Sequence, residues 1–390
     1  MAVSPIAAVI IHRHGARLPN VIFPGDLMFP SNPKFWNKYN AALIPMGVKQ
    51  ARRLGKNIRQ RYIDIIPTQC IAESVSAVSS NTERSIMSCV SFIDGFAPET
   101  PRFVSFEKDY EPESYHLSET YLQQRGKTLG IKIHIECGVE CLNSCESSTI
   151  SLFHRHKSDE IHERWKEYNT RKSPELQAMA ETPRYQELMD KLYTITEYAE
   201  IAPDKDMLAR LINSRIFITH LRIAQCQHSE PLPNTKGIHL TTEDTEMIEE
   251  IARVNYEHLF QPYNKLTSQE IGSRCVGDLL REILDFFEQT SPVWRFREYS
   301  AHDTTLLAIA AQMGVTIENP NFTGYFLFEL YPNGMAIYYN PDPTKYDIKD
   351  LKPKSLKRHD VYKRWEDYPD GITDWTTYRT LLLPPDRPKY

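Results

Sequence analysis

The chain has 390 residues, of which 41% are hydrophobic and 25% charged, the composition of a globular protein with one or two domains. Its formal net charge of −5 gives no electrostatic basis for binding nucleic acid or an anionic membrane surface. The longest apolar stretches fall well short of the roughly 18–20 residues that cross a bilayer, so no membrane span is expected.

The N-terminus carries no recognisable secretory signal. Met1 leads almost directly into the first apolar run, without a charged region and a separate apolar region before it. Two alternatives stay open: a cytosolic protein, or a chain that begins at a mature or engineered start.

Seven cysteines leave at least one unpaired in a monomer. Cys137, Cys141 and Cys145 recur every fourth residue, which leaves a disulfide segment, a metal site and plain thiols as alternatives.

The first predicted element is a buried strand over residues 5–11, because this run is apolar and short. It is followed by Arg13, His14 and Arg17, with Gly15 among them. Arginine offers forked donors that match a phosphate or a carboxylate. Histidine can act as a nucleophile or a proton carrier near neutral pH. A basic turn on the surface is the simpler alternative at this point.

A long irregular loop is predicted over residues 18–44, which are rich in Pro, Asn and aromatic residues. From 47 to 66 the apolar residues recur at helical spacing, and Pro67 ends the helix. Weak alternation over 73–79 predicts a short strand.

Ser80 and Glu83 have the spacing of a capping box, which predicts a helix from there to about Gly95. Arg84 would lie in the first turn of this helix. A cation is unfavourable there unless an anion is bound between it and the helix N-terminus. The alternative is an exposed arginine on an amphipathic helix.

Residues 110–235 are polar, charged and mostly helical in pattern, with helices predicted over 175–202 and 206–225. We interpret this range as a helical cap inserted into an α/β core formed by 1–109 and 236–345. His154, His156 and His162 have no carboxylate or cysteine at clear ligand spacing, so a solvated helix face is favoured over a metal site.

The remaining predicted elements are helices and strands, followed by a tail. The pattern predicts helices over 241–260, 268–289 and 306–313, strands over 294–299, 325–331 and 335–339, and a tail over 346–390. Gly314 is expected to end the third of these helices, and Pro332 to Gly334 to form a hairpin turn. We expect the tail to be extended and to pack on the core.

Three predicted strand-to-helix junctions carry polar groups. They are Arg13, His14 and Arg17; Arg84; and His302 with Asp303. In an α/β sheet such junctions meet at the carboxyl edge of the strands, where ligands bind. Three arginines and two histidines converging there predict a phosphate site. An aspartate is not needed to bind an anion, so Asp303 indicates proton transfer.

With these residues the sequence resembles the histidine acid phosphatases. The family's Arg-His-Gly-x-Arg-x-Pro motif stands at Arg13–Pro19, and its distal His-Asp pair at His302 and Asp303. The intermediate Arg84 and the strands that contain 329–331 and 338–340 also match, and the resemblance extends from residue 5 to about 342. It implies an α/β fold: a central mixed β-sheet flanked by helices on both faces, with an inserted α-helical cap. Most of this family is secreted, periplasmic or lysosomal.

The resemblance also implies the chemistry. His14 would attack phosphorus and form a phosphohistidine, Asp303 would donate a proton and then activate water, and neither a metal nor another cofactor is expected. The groups that would bind the nonbridging oxygens are Arg13, Arg17, Arg84 and His302. Glu298, or a carboxylate of the insertion, is the alternative acid. The expected partner is a small-molecule phosphomonoester, and a homodimer stays open. We interpret His12 as structural.

The sequence favours a broad-specificity acid phosphatase. The 18–44 loop holds several aromatic residues but few cations, chiefly Lys34 and Lys38, whereas a site for a multiply phosphorylated inositol ring would present more positive charge. The alternatives are an inositol polyphosphate phosphatase (phytase-like) and a lysophosphatidate phosphatase. A catalytically dead phospholigand-binding module is the alternative outside enzymes.

Overall fold

The structure of the protein is a computed structural model. It describes residues 4–19, 22–24, 41–68, 71–80, 82–98, 100, 102–106, 131–136, 173–200, 206–228, 232, 234, 236–262, 267–288, 295–356 and 363–382. Cys137, Cys141, Cys145 and the three histidines at 154, 156 and 162 lie outside these ranges, as do Lys34 and Lys38.

The described part of the chain contains both strands and helices. The strands are β1 (Ala7–Arg13), β2 (Val75–Ser80), β3 (Arg102–Phe106), β4 (Ile131–Glu136), β5 (Phe296–Ala301), β6 (Val315–Thr316), β7 (Tyr325–Tyr331), β8 (Gly334–Asn340) and β9 (Lys363–Arg364). The α-helices are α1 (Pro45–Arg61), α2 (Ile71–Ser74), α3 (Glu83–Phe96), α4 (Pro174–Glu181), α5 (Pro183–Thr196), α6 (Met207–Asn213), α7 (Arg215–His228), α8 (Thr242–Phe260), α9 (Ser268–Glu288), α10 (Asp303–Met313) and α11 (Trp375–Leu382).

Seven strands form a mixed sheet in the order β3-β4-β2-β5-β1-β7-β8. The five strands from β3 to β1 run parallel, whereas β7 is antiparallel to β1 and β8 is antiparallel to β7. The parallel strands β1, β2 and β5 therefore end at the same edge, which is where ligands bind in such sheets.

Strand β1 lies inside the sheet, between β5 and β7, and all seven of its residues are buried. Ala8 and Ile10 join an apolar cluster with residues of α1 and α3 on one face of the sheet. Helix α10 lies against β1, and α9 packs on α10. The predicted mixed sheet with flanking helices is confirmed.

The chain divides into two compact units. The first contains residues 1–15, 47–158 and 262–390, and the second contains 16–46 and 159–261. In the second unit, α4 to α8 enclose a core of their own, which includes Phe23, Leu192, Phe217 and Ile251. Among the helices that the structure describes, none is long and apolar enough to cross a membrane.

The observed division differs from the predicted one: residues 16–46 and 236–261, predicted within the core, belong to the second unit, and β4 belongs to the first. This strand lies within the range predicted as a helical insertion, yet it pairs in parallel with β2 and β3. Its sequence, Ile-Lys-Ile-His-Ile-Glu, has the period-two alternation of a strand, so the signal was present but short.

Several local predictions are confirmed. Gly314 ends α10 with a left-handed φ of 74°, and the hairpin between β7 and β8 turns at Pro332 and Asn333. The tail pairs with the sheet through backbone bridges from Lys354 and Thr373 to β8. It is not extended throughout, because it also contains the helix α11.

Candidate active site

His14 directly follows β1 and is held on one side by the end of β5 and on the other by the segment that precedes β7. Its backbone N–H donates to the carbonyl of Ala301 at 3.0 Å, and its carbonyl accepts from the N–H of Thr323 at 3.2 Å. Because β1 lies between β5 and β7, the residue at its end has a partner on each side. The backbone of His14 is therefore fixed before any substrate is bound.

The ring of His14 has a defined tautomer. Its Nδ1 lies 2.8 Å from the carbonyl oxygen of Gly15. A carbonyl oxygen can only accept a hydrogen bond, so Nδ1 must carry the proton. In the neutral ring the lone pair then lies on Nε2, and an imidazole nitrogen with a lone pair can act as a nucleophile.

Gly15 is required by the packing around it. A Cβ at this position would lie 2.4 Å from the carbonyl oxygen of Gly47. The N–H of Gly15 donates to Ser88 Oγ at 2.9 Å, and Ser88 in turn donates to the carbonyl of Arg84 at 2.6 Å. The turn after His14 is thus connected to the first turn of α3.

Arg13 and Asp303 form an ion pair, with Arg13 Nη2 at 3.0 Å from Asp303 Oδ2. Arg13 also donates from Nη1 to the carbonyl of Pro320 at 2.8 Å, and its guanidinium lies over the ring of Phe322, 4.6 Å from the centroid. The other carboxylate oxygen of Asp303 accepts from the backbone N–H of Thr304 at 2.8 Å. The Asp303 side chain is 16% exposed, so it remains within reach of solvent.

His302 lies beside His14, with the two ring centroids 5.6 Å apart and the rings inclined at 72°. Its Nε2 lies 3.0 Å from the hydroxyl of Ser80, the last residue of β2. The predicted capping box of Ser80 with Glu83 is wrong, because Ser80 belongs to the strand and Thr82 is the N-cap of α3. The hydroxyl of Ser80 meets His302 instead.

Arg84 lies in the first turn of α3, as the sequence predicts, and its side chain is buried. This turn is held against β5, because Ser300 donates from Oγ to the carbonyl of Ser85 at 2.8 Å. The ends of β1, β2 and β5 and the start of α3 are thus brought together at one edge of the sheet. Aligned N–H groups at the start of a helix add partial positive charge there.

Arg17 falls in the second unit. Its backbone pairs with Leu43 in an antiparallel bridge, and its Nη1 donates to the carbonyl of Leu18 at 2.8 Å. Its side chain is buried. The role of Arg17 at a phosphate stays a prediction from the motif.

Glu298, the alternative acid, is fully buried on the face of the sheet that α3 covers. It pairs with His12 at 2.7 Å. No exposed carboxylate is available at this position for proton exchange with a leaving group.

Sequence reasoning assigned no place in the site to Ser88, Phe322 and Thr323, and it interpreted Ser80 as a helix cap rather than as a partner of His302. Thr323 has a left-handed φ of 60°, which is rare for a β-branched residue. Such backbone conformations cluster at functional sites. Nothing in the local pattern marks these four residues, because their contacts join segments far apart in the chain.

Comparison with known proteins gives a consistent result. A family model described as the histidine phosphatase superfamily, branch 2, matches residues 6–339. Prostatic acid phosphatase of Bos taurus is 24% identical over 361 residues, 88% of this chain and 78% of that protein. Lysosomal acid phosphatase of Bos taurus is 21% identical over 335 residues, 83% of this chain and 66% of that protein, so the chain spans about two thirds of that relative.

Two solved phytases have a similar fold. The Hafnia alvei phytase in its apo form has a TM-score of 0.58 at 14% identity, covering 97% of this chain and 96% of that one. The Citrobacter braakii phytase has a TM-score of 0.58 at 13% identity, covering 97% of both chains. At this level of identity the likeness concerns the fold alone. Because the family model matches most of its length, the chain belongs to branch 2 of the histidine phosphatase superfamily.

Proposed function

We propose that the protein hydrolyses phosphomonoesters without a metal, through a phosphohistidine on His14. The observation that carries this proposal is the contact of His14 Nδ1 with the Gly15 carbonyl at 2.8 Å. That contact keeps the proton on Nδ1 and leaves Nε2 to attack phosphorus.

The groups around His14 supply the second requirement of phosphoryl transfer, which is stabilisation of charge on the nonbridging oxygens. Arg13 and His302 flank His14, and Arg84 lies at the start of α3. Arg17 is assigned to the same task by the family motif alone.

Asp303 is the proton donor in this proposal. In the first step a bond forms between His14 Nε2 and phosphorus, the bond from phosphorus to the leaving oxygen breaks, and that oxygen takes the proton of the Asp303 carboxylic acid. In the second step water attacks phosphorus and gives a proton to the Asp303 carboxylate, while the P–N bond breaks. Phosphate and the free ring of His14 are regenerated, and Asp303 is again protonated.

For the substrate, a broad-specificity acid phosphatase is our first choice. The 18–44 loop has aromatic residues and few cations, and two of the relatives are named acid phosphatases. An inositol polyphosphate is the second candidate substrate, because the solved structures with a similar fold include phytases. A lysophosphatidate is the third.

Turnover of p-nitrophenyl phosphate in the presence of a chelator tests the reaction class. We expect activity that EDTA leaves unchanged and that His14→Ala removes, while the variant still binds inorganic phosphate through its arginines. Activity lost in EDTA and restored by one divalent metal would contradict the metal-free reaction. A substrate panel with phytate, phosphotyrosine and lysophosphatidate separates the three candidate substrates.

A further inference from the structure

A fully buried polar cluster lies directly below the motif. It consists of His12 on β1, Glu298 on β5 and Cys89 on α3, and all three side chains are completely buried. His12 Nε2 lies 2.7 Å from Glu298 Oε1, and Cys89 Sγ donates to Glu298 Oε2 at 2.9 Å. The ring of His12 stacks on Phe92, with centroids 5.3 Å apart and an interplanar angle of 17°. We call these three residues the buried cluster.

The contacts of the buried cluster fix where its protons lie. His12 Nδ1 is 2.9 Å from the carbonyl oxygen of Arg13, which can only accept, so Nδ1 carries a proton. One further proton lies between His12 Nε2 and the carboxyl of Glu298. The pKa of the Cys89 thiol is raised well above its ordinary value, mainly by burial and further by the neighbouring Glu298. This thiol is therefore protonated and can donate a hydrogen bond.

The contact of His12 with the Arg13 carbonyl holds the backbone next to His14, the proposed nucleophile. This carbonyl belongs to the peptide unit that joins Arg13 to His14. The N–H of the same peptide unit donates to Ala301 at 3.0 Å. His12 therefore holds one end of the peptide and β5 holds the other, so its plane has one orientation. That plane sets the position of the His14 Cα, from which the ring projects, and the contact of Nδ1 with the Gly15 carbonyl orients the ring.

Each member of the buried cluster also shares an element with a candidate catalytic residue. His12 lies on β1, two positions before His14, which directly follows this strand. Glu298 lies on β5, four positions before His302, which directly follows β5. Cys89 lies five positions after Arg84 on α3. The buried cluster therefore joins the three elements whose ends carry the phosphate-binding groups.

Stability alone gives no reason for polar groups at this place. The surrounding face is apolar, with Phe92, Phe96 and Phe296 stacked in it. Replacing a buried ion pair by well-packed apolar residues is often neutral or stabilising, because charges lose solvation on burial.

We infer that His12 and Glu298 are positioning residues, which orient the Arg13–His14 peptide so that His14 Nε2 is aligned with the phosphorus atom. This inference rests on the proposed function. The pair touches no substrate and acts through His14. Its removal should therefore lower kcat and the affinity for vanadate, which mimics five-coordinate phosphorus, and should change KM much less.

The test uses two variants and a matched control. The double variant His12→Phe with Glu298→Met replaces the pair by apolar groups of similar size, and Glu298→Gln changes a single atom. The control is Glu329→Gln, because Glu329 is equally buried in the same sheet but bonds Arg61 and Tyr62, at 2.6 and 2.7 Å, rather than the motif. For each protein, kcat and KM with p-nitrophenyl phosphate, the vanadate Kd and Tm are measured.

For the double variant we expect a Tm close to that of the wild type and a kcat lower by about 10- to 100-fold, the scale of a small misplacement of a reacting group. Glu298→Gln should lower kcat in the same direction, whereas Glu329→Gln should lower Tm without lowering kcat. A folded double variant with wild-type kcat and vanadate Kd would overturn the inference. If the double variant does not fold, an unchanged kcat in Glu298→Gln overturns it. Wild-type protein that neither turns over a phosphomonoester nor binds vanadate would instead remove the proposed function itself.

Discussion

Arg13 Nη2 lies 3.0 Å from Asp303 Oδ2, so one guanidinium holds the carboxylate that the proposed reaction uses for proton transfer. A substrate phosphate bound to Arg13 competes with Asp303 for the same positive charge. When Arg13 pairs with the phosphate instead of with Asp303, the ionised form of the Asp303 carboxyl group is less favoured, because a second anion lies beside it. Binding of substrate would thereby help to produce the carboxylic acid that the first step needs.

Asp303→Asn should affect poor and good leaving groups differently. The amide keeps the shape of the side chain but cannot give a proton, and an alkoxide leaves poorly unless it is protonated. Phosphoenzyme formation from an alkyl phosphate should fall by roughly 10²–10⁴-fold, the usual range for a lost general acid, and much less from p-nitrophenyl phosphate. Single-turnover measurement with both substrates is the test. Equal losses with the two substrates would show that Asp303 is not the acid. The affinity of Asp303→Asn for inorganic phosphate should be unchanged or higher, because the substitution removes a negative charge that competes with the phosphate.

Gly15→Ala should disrupt both folding and activity. The added methyl would meet the carbonyl oxygen of Gly47 at 2.4 Å, and a backbone atom cannot move aside as a side chain can. Overpacking of this kind costs about 1–3 kcal/mol or more. Denaturant unfolding and kcat are measured together, with Gly237→Ala as the control. Gly237 has a φ of 66° and open space where a methyl would be added, so its variant should lose stability but not kcat. Wild-type activity in Gly15→Ala would contradict the packing described here.

Ser80→Ala should weaken phosphate binding through His302. The variant loses the contact of 3.0 Å with His302 Nε2, so the ring is less firmly held. We expect kcat/KM to fall about tenfold, which corresponds to about 1.4 kcal/mol, and Ser80→Thr to restore most of it. Ser79→Ala is the matched control, since the Ser79 hydroxyl donates only to the Ser80 carbonyl at 2.9 Å among the contacts described. Equal effects of the two alanine variants would remove the role of Ser80.

Cys89→Ser should make stability less sensitive to alkaline pH. Burial and Glu298 raise the pKa of the Cys89 thiol in the folded state, so the folded protein keeps this proton while the unfolded chain loses it above about pH 8.5. The wild type therefore loses about 1.4 kcal/mol of stability per pH unit from this group above that pH, and the variant does not. Urea unfolding between pH 8 and 10 measures both slopes, and identical slopes would contradict the assignment.

How much the sequence could predict depends on how local each feature is. β1, Gly314 and the β7–β8 hairpin were predicted because periodicity and turn residues are local signals. The sequence predicts Arg13, His14, Arg84, His302 and Asp303 as site residues because each stands at a strand-to-helix junction. The sheet order brings those junctions to one edge, and the roles of the residues stay predictions.

The missed features are non-local. Ser80 meets His302, a residue 222 positions away. His12 pairs with Glu298 across 286 positions. Such contacts exist only once the parallel strands are in register, and no spacing within the sequence encodes them. Strand β4 was missed for another reason, because its six-residue alternation lies in a polar region that otherwise has a helical pattern.

Trapping the covalent intermediate is the direct test of the phosphohistidine mechanism. Wild-type protein is mixed with ³²P-labelled p-nitrophenyl phosphate, quenched within milliseconds and digested under alkaline conditions, which preserve phosphohistidine. We predict a label that is stable in base and lost in acid, on the peptide that contains His14, and no label in His14→Ala. A wild-type enzyme that turns over substrate without labelling this peptide, or a His14→Ala variant that retains a tenth of wild-type turnover, would contradict the phosphohistidine mechanism.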